Sequence, residues 1–137
     1  MGLILDTSIL IEAERGRLNV NRLIEGREDE PFGLSVITVA ELLQGVHRAD
    51  TESRRLKRSA YVEKIIELFP IYSFDVNMAR IYARLWASLL NKGVQIGAHD
   101  LIIASTAISL GFSLATFNHK HFEKVESLQI EIPHFSS

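Results

Sequence analysis

The chain has 137 residues, no cysteine and a formal net charge of −2. This length fits one domain over residues 1–137 with a single sizeable core. The absence of cysteine excludes disulfides, thiolate metal sites and cysteine nucleophiles; it suits a reducing compartment, so we expect a cytoplasmic protein. The slightly acidic balance excludes a general attraction to polyanions, so nucleic-acid binding would require a local patch and a bound cation.

The apolar segments are not typical of secretory or membrane segments. Asp6 interrupts the apolar start, and no basic segment precedes it, so we expect no secretory signal. Residues 101–117 carry no charge, but Ser105, Thr106 and Gly111 interrupt their apolarity. A buried helix, a glycine turn and a buried strand explain this stretch better than a membrane span.

Short apolar runs alternate with helical patterns in the first half of the chain. Leu3-Ile4-Leu5 is typical of a strand buried on both faces of a sheet. Thr38 is expected to cap a helix that ends near Val46. Between these two elements the sequence predicts a short helix over 9–14, one or two further turns over 20–25, and a second strand over 33–36.

The second half of the chain continues this alternation. Pro70 ends one predicted helix and Gly111 ends another. In chain order, the patterns predict a helix over 51–69, a strand at 71–72, helices over 76–90 and 99–110, a strand over 112–116, a turn capped by Asn118 and a strand over 128–132. Such alternation predicts an α/β fold with a mainly parallel sheet of about five strands.

Three acids and one amide are expected at one edge of this sheet. Asp6 directly follows the first strand, and Glu41 lies in the first turn of the helix after the second. Asp100 begins the helix before the fourth strand, and Asn118 follows that strand. Because functional crevices of parallel sheets lie beyond the carboxyl ends of the strands, these four side chains are expected to meet there.

Such a group of acids favours a divalent metal. Neighbouring carboxylates repel one another when ionised, and a cation removes that repulsion. Oxygen ligands with open water positions suit Mg²⁺ or Mn²⁺. Because such an ion lowers the pKa of a bound water and stabilises charge on a phosphate, metal-assisted phosphodiester hydrolysis is the natural chemistry.

Each acid also has a purely structural interpretation. Asp6 can cap the helix that begins near Ile9. Thr38 and Glu41 have the spacing of a capping box, and Asp100 is favourable at any helix N-terminus. Taken singly, helix caps are commoner than metal ligands. The joint position of the acids at predicted strand ends favours the metal site.

Four segments carry a resemblance to a known family. They are Leu3 to Ser8, Ser35 to Leu42, Ile96 to Ala104, and Leu114 to Asn118 followed by Phe122. In this order and spacing, and in a chain of this size, they resemble the motifs of the PIN-domain nucleases. Within that family they are most similar to the toxin subunits of VapBC toxin–antitoxin pairs. The resemblance spans nearly the whole chain.

The resemblance implies a three-layer α/β/α fold and an Mg²⁺- or Mn²⁺-dependent endoribonuclease that acts as the toxin of a type II toxin–antitoxin pair. It implies an RNA substrate, a homodimer, and a VapB-like antitoxin that blocks the acidic pocket. By motif match it also assigns roles: metal-binding and catalytic acids Asp6, Glu41 and Asp100, supporting hydrogen bonds from Thr7 or Ser8 to Asp6, and orientation of water or an acid by Asn118.

The last motif departs from many relatives, which carry a further carboxylate in it. In this chain the segment reads Asn118-His119-Lys120-His121, with no acid before Glu123. We therefore expect one metal ion, or a second that binds only with the substrate's phosphate. The two histidines alternate too closely for a helical metal pair and are interpreted as part of a surface loop.

The densest basic cluster lies in the helix over 51–69 and comprises Arg54, Arg55, Lys57 and Arg58. Contact with RNA phosphates and a solvated helix face are equally good interpretations, since Asp50 and Glu52 dilute the charge. The resemblance adds a third interpretation, contact with the antitoxin.

The helix over 76–90 carries an apolar stripe formed by Val76, Ala79, Ala83, Trp86 and Leu90. For Trp86 and the nearby Tyr82, core packing or a dimer seam is a better interpretation than base stacking.

Two other functions compete with a metal nuclease. A phosphatase of the haloacid type also has an Asp after its first strand, but it needs a second Asp where this chain has Ser8. A PIN-like RNA- or protein-binding module without catalysis is the second alternative. The retention of three acids argues against that module.

Overall fold

The computed structural model describes residues 2–135. Within that range the elements are β1 (Leu3–Leu5), α1 (Thr7–Glu14), α2 (Val20–Ile24), β2 (Phe32–Ser35), α3 (Val36–His47), α4 (Glu52–Leu68), β3 (Ile71–Tyr72), α5 (Val76–Asn91), α6 (Ala98–Leu110), β4 (Ser113–Ala115), α7 (His119–Phe122) and β5 (Ile130–Glu131). Strands and helices alternate as predicted, although β4 and β5 are shorter than the sequence suggests.

The strands form one sheet in the order β3-β2-β1-β4-β5, and every neighbouring pair is parallel. Leu3 pairs with Phe32 of β2 on one side and with Ser113 of β4 on the other. The predicted five-stranded, mainly parallel sheet is therefore confirmed. Its carboxyl edge places the ends of β1, β2 and β4 side by side.

Helices cover both faces of the sheet. Leu3 and Leu5 point into a core shared with α1, α3 and α4. Ile4, between them, points to the opposite core, which includes α5, α6 and Phe122 of α7. The continuous apolar run of β1 is thus explained by burial on both sides, and the three-layer α/β/α arrangement is confirmed.

The uncharged stretch 101–117 is divided between α6 and β4. The two are separated at Gly111, which has a φ of +70°. A left-handed residue of this kind ends a helix without the steric cost that a Cβ would add. No helix between residues 2 and 135 has both the length and the apolar character needed to cross a membrane.

The start of α3 differs from the prediction. The helix begins at Val36, and its cap is Ser35, whose Oγ accepts a hydrogen bond from the Ile37 N–H at 3.2 Å. The predicted second strand is present but ends at Ser35 rather than Val36, and the predicted cap at Thr38 is wrong, because the hydroxyl at the end of β2 already caps the helix. Thr38 is buried inside α3, so Glu41 lies in the second turn and belongs to no capping box.

The apolar stripe of α5 faces outwards. Val76, Trp86 and Leu90 are 68%, 54% and 62% exposed. The helix packs instead through the opposite side, where Met78 and Leu89 are buried. The interpretation of Trp86 as a core residue is therefore wrong. Both sides of α5 carry large apolar residues, so the apolar stripe alone does not identify the side that packs against the core.

Candidate active site

Asp6 lies at the centre of the carboxyl edge, directly after β1. Its side chain is almost fully buried, at 3% exposure. The Oδ2 atom accepts hydrogen bonds from Ser8 Oγ and Thr116 Oγ1, each at 2.8 Å. Asp6 is the N-cap residue of α1, but its side chain makes no capping bond, so capping does not account for the position of its carboxylate.

Ser8 and Thr116 are held in turn by the backbone that follows β4. Ser8 Oγ accepts a hydrogen bond from the Phe117 N–H at 3.1 Å, and Thr116 Oγ1 accepts one from the Asn118 N–H at 2.9 Å. Each hydroxyl thus accepts from an amide and donates to the carboxylate. This chain of bonds sets the orientation of Asp6 from two separate segments.

Glu41 reaches the same edge from α3. Its Oε1 accepts a hydrogen bond from Thr7 Oγ1 at 2.6 Å, and Thr38 Oγ1 lies 3.2 Å from that hydroxyl. The other oxygen, Oε2, lies 3.4 Å from His99 Nδ1. Of the two hydroxyls expected to support Asp6, Ser8 does so, whereas Thr7 orients Glu41.

Asp100 comes from the first turn of α6. Its Oδ2 lies 3.2 Å from Nδ1 of His121 on α7. Burial raises the pKa of the Asp100 carboxyl above its ordinary value, and the charges of Asp6 and Glu41 raise it further, against a smaller opposing effect of His121. Burial and the charges of the neighbouring acids therefore disfavour the ionised form of Asp100.

These acids line one open cleft of about 380 Å³. Asn118 also lines it, and the Asn118 side chain makes no capping bond to α7. The structure therefore brings the four predicted site residues, which come from four distant segments, to the carboxyl edge of the sheet.

A divalent cation fits this cleft by donor chemistry. Carboxylate oxygens are the ligands that Mg²⁺ and Mn²⁺ prefer, and a cation would favour the ionised form of Asp100, which burial and the charges of the neighbouring acids disfavour. In the conformation described for residues 2–135, no three histidine or acidic side chains stand close enough to hold one ion together. His99 and His121 are instead the polar partners of Glu41 and Asp100.

The basic cluster of α4 is only partly directed at the site. Arg54 and Arg55 form exposed ion pairs with Asp50 and Glu52, at 3.0 and 2.9 Å. Arg58 lies apart from them, in a groove between α1, α3 and α4 that Thr7 and Glu41 also line. Of Arg54, Arg55 and Arg58, Arg58 is therefore the one that lines a groove together with a predicted site residue, Glu41.

The model of the PIN domain family matches residues 3–128. The chain belongs to the PIN-domain family. Two relatives of this PIN domain are Ribonuclease VapC1 of Rickettsia felis, 38% identical over 133 residues and 95% of each chain, and the tRNA(fMet)-specific endonuclease VapC of Salmonella typhimurium, 30% identical over 86% of this chain and 80% of the relative.

Solved structures that are similar to this chain indicate the same family as the sequence relatives do. The PIN domain superposes on a chain of VapBC2 from Rickettsia felis, bound to a DNA fragment from its promoter, with a TM-score of 0.87 and 27% identity over 97% of this chain and 99% of that one. A chain of DNA-bound VapBC from Salmonella typhimurium gives a TM-score of 0.84 and 26% identity over 96% and 98%. The predicted PIN-like fold is confirmed.

Sequence reasoning missed two contacts of the site. Thr116 was not among the candidate residues, although it follows β4 as Asp6 follows the neighbouring strand β1. That register alone indicates that the two side chains meet. The interpretation of His121 as part of a surface loop is wrong, since it belongs to α7 and lies against Asp100.

Replacing Thr116 with valine keeps its shape, removes a donor to the buried Asp6 carboxylate and leaves the Asn118 N–H without its acceptor. We expect the free energy of unfolding to fall by about 1–3 kcal/mol, because buried polar groups lose their hydrogen-bond partner. Thr106→Val is the matched control: Thr106 is equally buried but donates to a helix carbonyl, that of Ile102. Urea denaturation in EDTA measures both; equal losses would contradict this role of Thr116.

Asp100→Asn tests the electrostatic repulsion in the cleft. Because the folded state holds the Asp100 proton to higher pH than the unfolded chain, metal-free stability falls as pH rises through the window above its ordinary pKa of 3.8. Asparagine does not titrate, so the variant lacks this pH-dependent loss of stability. At neutral pH in EDTA its Tm should therefore exceed that of the wild type, by on the order of a few °C.

The difference should shrink near about pH 3, where both side chains are neutral. Asp29→Asn, at an exposed acid outside the cleft, is the control and should leave Tm unchanged. Thermal melts across this pH range make the measurement. A lower Tm for Asp100→Asn in EDTA at neutral pH would contradict the argument.

Proposed function

We propose that this PIN domain is an Mg²⁺- or Mn²⁺-dependent endoribonuclease that acts as the toxin of a type II toxin–antitoxin pair in the cytoplasm. The observation that carries the proposal is the meeting of Asp6, Glu41 and Asp100 in one cleft of a domain whose relatives are named VapC ribonucleases. RNA is the proposed substrate because one relative is a tRNA(fMet)-specific endonuclease.

Asp6, Glu41 and Asp100 are the residues that would hold the ion. When bound, Mg²⁺ or Mn²⁺ would activate water and stabilise the negative charge of the phosphate. Ser8 and Thr116 occupy one oxygen of Asp6 and so present the other to the cleft. Thr7 donates a hydrogen bond to Glu41, which would accept a proton, and the amide of Asn118, which lines the same cleft, would orient water or an acid.

A VapB-like antitoxin is the proposed inhibitory partner. Solved structures similar to this chain are VapBC complexes, among them those of Rickettsia felis and Salmonella typhimurium. The groove between α1, α3 and α4 has apolar walls, including Ile11, Leu42 and Val62, and it reaches Glu41. A segment seated in this groove would pass Arg58 and cover the acidic cleft.

RNA cleavage by the purified protein tests the proposed activity. We expect cleavage with Mg²⁺ or Mn²⁺, and its loss in EDTA and in both Asp6→Asn and Asp100→Asn. Asp29→Asn, which removes one negative charge outside the cleft, should retain full activity. Gel analysis of structured and single-stranded RNAs makes the comparison, with melts to show that each variant is folded.

Cleavage that persists in EDTA would contradict the metal dependence. If no RNA is cut and Mn²⁺ leaves the thermal midpoint unchanged, the protein is a binding module without catalysis, since a ligand of the native state must raise its stability.

We also propose that the outward stripe of α5 is the seam of a homodimer. Val76, Ala79, Ala83, Trp86 and Leu90 lie on one side of the helix and are all exposed. Contiguous apolar surface of this kind marks a contact with another protein. A second copy of the chain presents the same stripe and can bury it across a two-fold axis.

Leu90→Glu should weaken the dimer by roughly tenfold or more, because it places an unpaired charge in the apolar seam. Leu68→Glu is the matched control, since Leu68 on α4 is 63% exposed and Leu90 is 62% exposed. Sedimentation equilibrium measures the monomer–dimer constant. Equal monomer–dimer constants for the two variants would contradict the assignment of the dimer seam to α5.

A further inference from the structure

Two phenylalanine rings stack at the rim of the acidic cleft. The centroids of Phe117 and Phe135 lie 4.6 Å apart, and the ring planes differ by 5°. Phe117 directly follows Thr116 and lines the cleft together with Asp6, Asp100 and Asn118. The stack is therefore continuous with the candidate active site.

Phe135 is poorly explained as a core residue. It is 56% exposed, whereas Phe122, at the end of α7, is fully buried. One face of the Phe135 ring is covered by Phe117, so much of the remaining ring surface faces solvent. An aromatic ring that is fixed on one side and open on the other is a suitable surface for a further flat ring.

A second cleft lies on the far side of this stack. It has a volume of about 280 Å³, and its walls include Phe135, Pro133, Leu23 and Arg22. Arg22 is exposed and, among residues 2–135, forms no ion pair. A free guanidinium beside an open aromatic ring provides a phosphate contact next to a base contact.

We propose that Phe117 and Phe135 form a stacking platform for an unpaired base of the RNA, next to the nucleotide whose phosphate enters the acidic cleft. Arg22 contacts the backbone phosphate of the stacked nucleotide. This inference rests on the proposed function, because it assumes that the polymer in the cleft is RNA. It goes further in naming the aromatic pair and the arginine of this chain that would hold an unpaired nucleotide.

The chemistry of the surroundings favours a nucleobase over an apolar peptide. The platform lies between an acidic cleft suited to a cation-bound phosphate and an unpaired arginine. Phosphates spaced along a strand match this arrangement, with a base between them. Stacking tolerates any base, since every base has a π-face, so the platform selects unpaired structure rather than sequence.

The test measures binding without cleavage. The protein carries Glu41→Gln to prevent hydrolysis, with Mn²⁺ present, and the probe is a short single-stranded RNA that contains 2-aminopurine. We expect the fluorescence of the probe to be quenched on binding. Phe135→Leu, which keeps an apolar side chain without a π-face, should weaken binding by roughly tenfold and abolish the quenching.

Two variants serve as controls. Phe135→Tyr keeps the ring and should bind and quench as the parent does. Phe74→Leu removes another partly exposed ring, which follows β3 at the opposite side of the sheet, and should change nothing. Thermal melts of each variant show whether the fold is retained.

Three results would overturn the platform. The first is unchanged affinity and quenching in folded Phe135→Leu. The second is a loss of affinity in Phe74→Leu that equals the loss in Phe135→Leu. The third is an equal loss of affinity in Phe135→Leu when the probe is a fully paired duplex of the same sequence. Failure of the proposed nuclease activity would be a different result. In that case the wild-type protein would not cleave RNA, whatever the fluorescence of the probe in the binding experiment. Single-strand binding that depends on Phe135 without any cleavage would support the platform in a binding module.

Discussion

The site depends on the buried carboxylate of Asp6 and the two hydroxyls that bond it. β1 is the central strand, so the residue that follows it is enclosed by the ends of β2 and β4. A polar side chain at 3% exposure destabilises the fold unless it is hydrogen-bonded. Ser8 and Thr116 meet that requirement from α1 and β4, and thereby fix the relative position of the two segments that form one wall of the cleft.

The other acids are held less rigidly, and the difference follows from their positions. Glu41 and Asp100 lie on helices and are partly exposed. Thr7 holds one oxygen of Glu41 at 2.6 Å, but the remaining contacts of the two acids are with histidines, at 3.4 and 3.2 Å. Such contacts are weak and are easily exchanged for a cation or a water. One acid is thus fixed by the sheet, and two can respond to what enters the cleft.

Alternation of strands and helices, and the position of the acids at strand ends, could be predicted because both follow from periodicity and from the geometry of parallel sheets. Two details could not. Ser35 and Thr38 are equally able to cap α3, and only the end of β2 decides between them. The outward side of α5 carries residues as apolar as its buried side, so the hydrophobic pattern alone does not identify the core face.

The net charge of −2 opposes the binding of RNA to this cleft. An acidic cleft on an acidic protein repels RNA, so the free energy of binding must come from a cation, from local arginines and from contacts that carry no charge. Arg54, Arg55 and Arg58 are already paired with acids, Arg58 with Glu14 at 3.5 Å, whereas Arg22, which lines the cleft beside Phe135, forms no ion pair among residues 2–135. Stacking on Phe135 is insensitive to net charge, so it contributes free energy of binding that the acidic balance of the protein does not reduce.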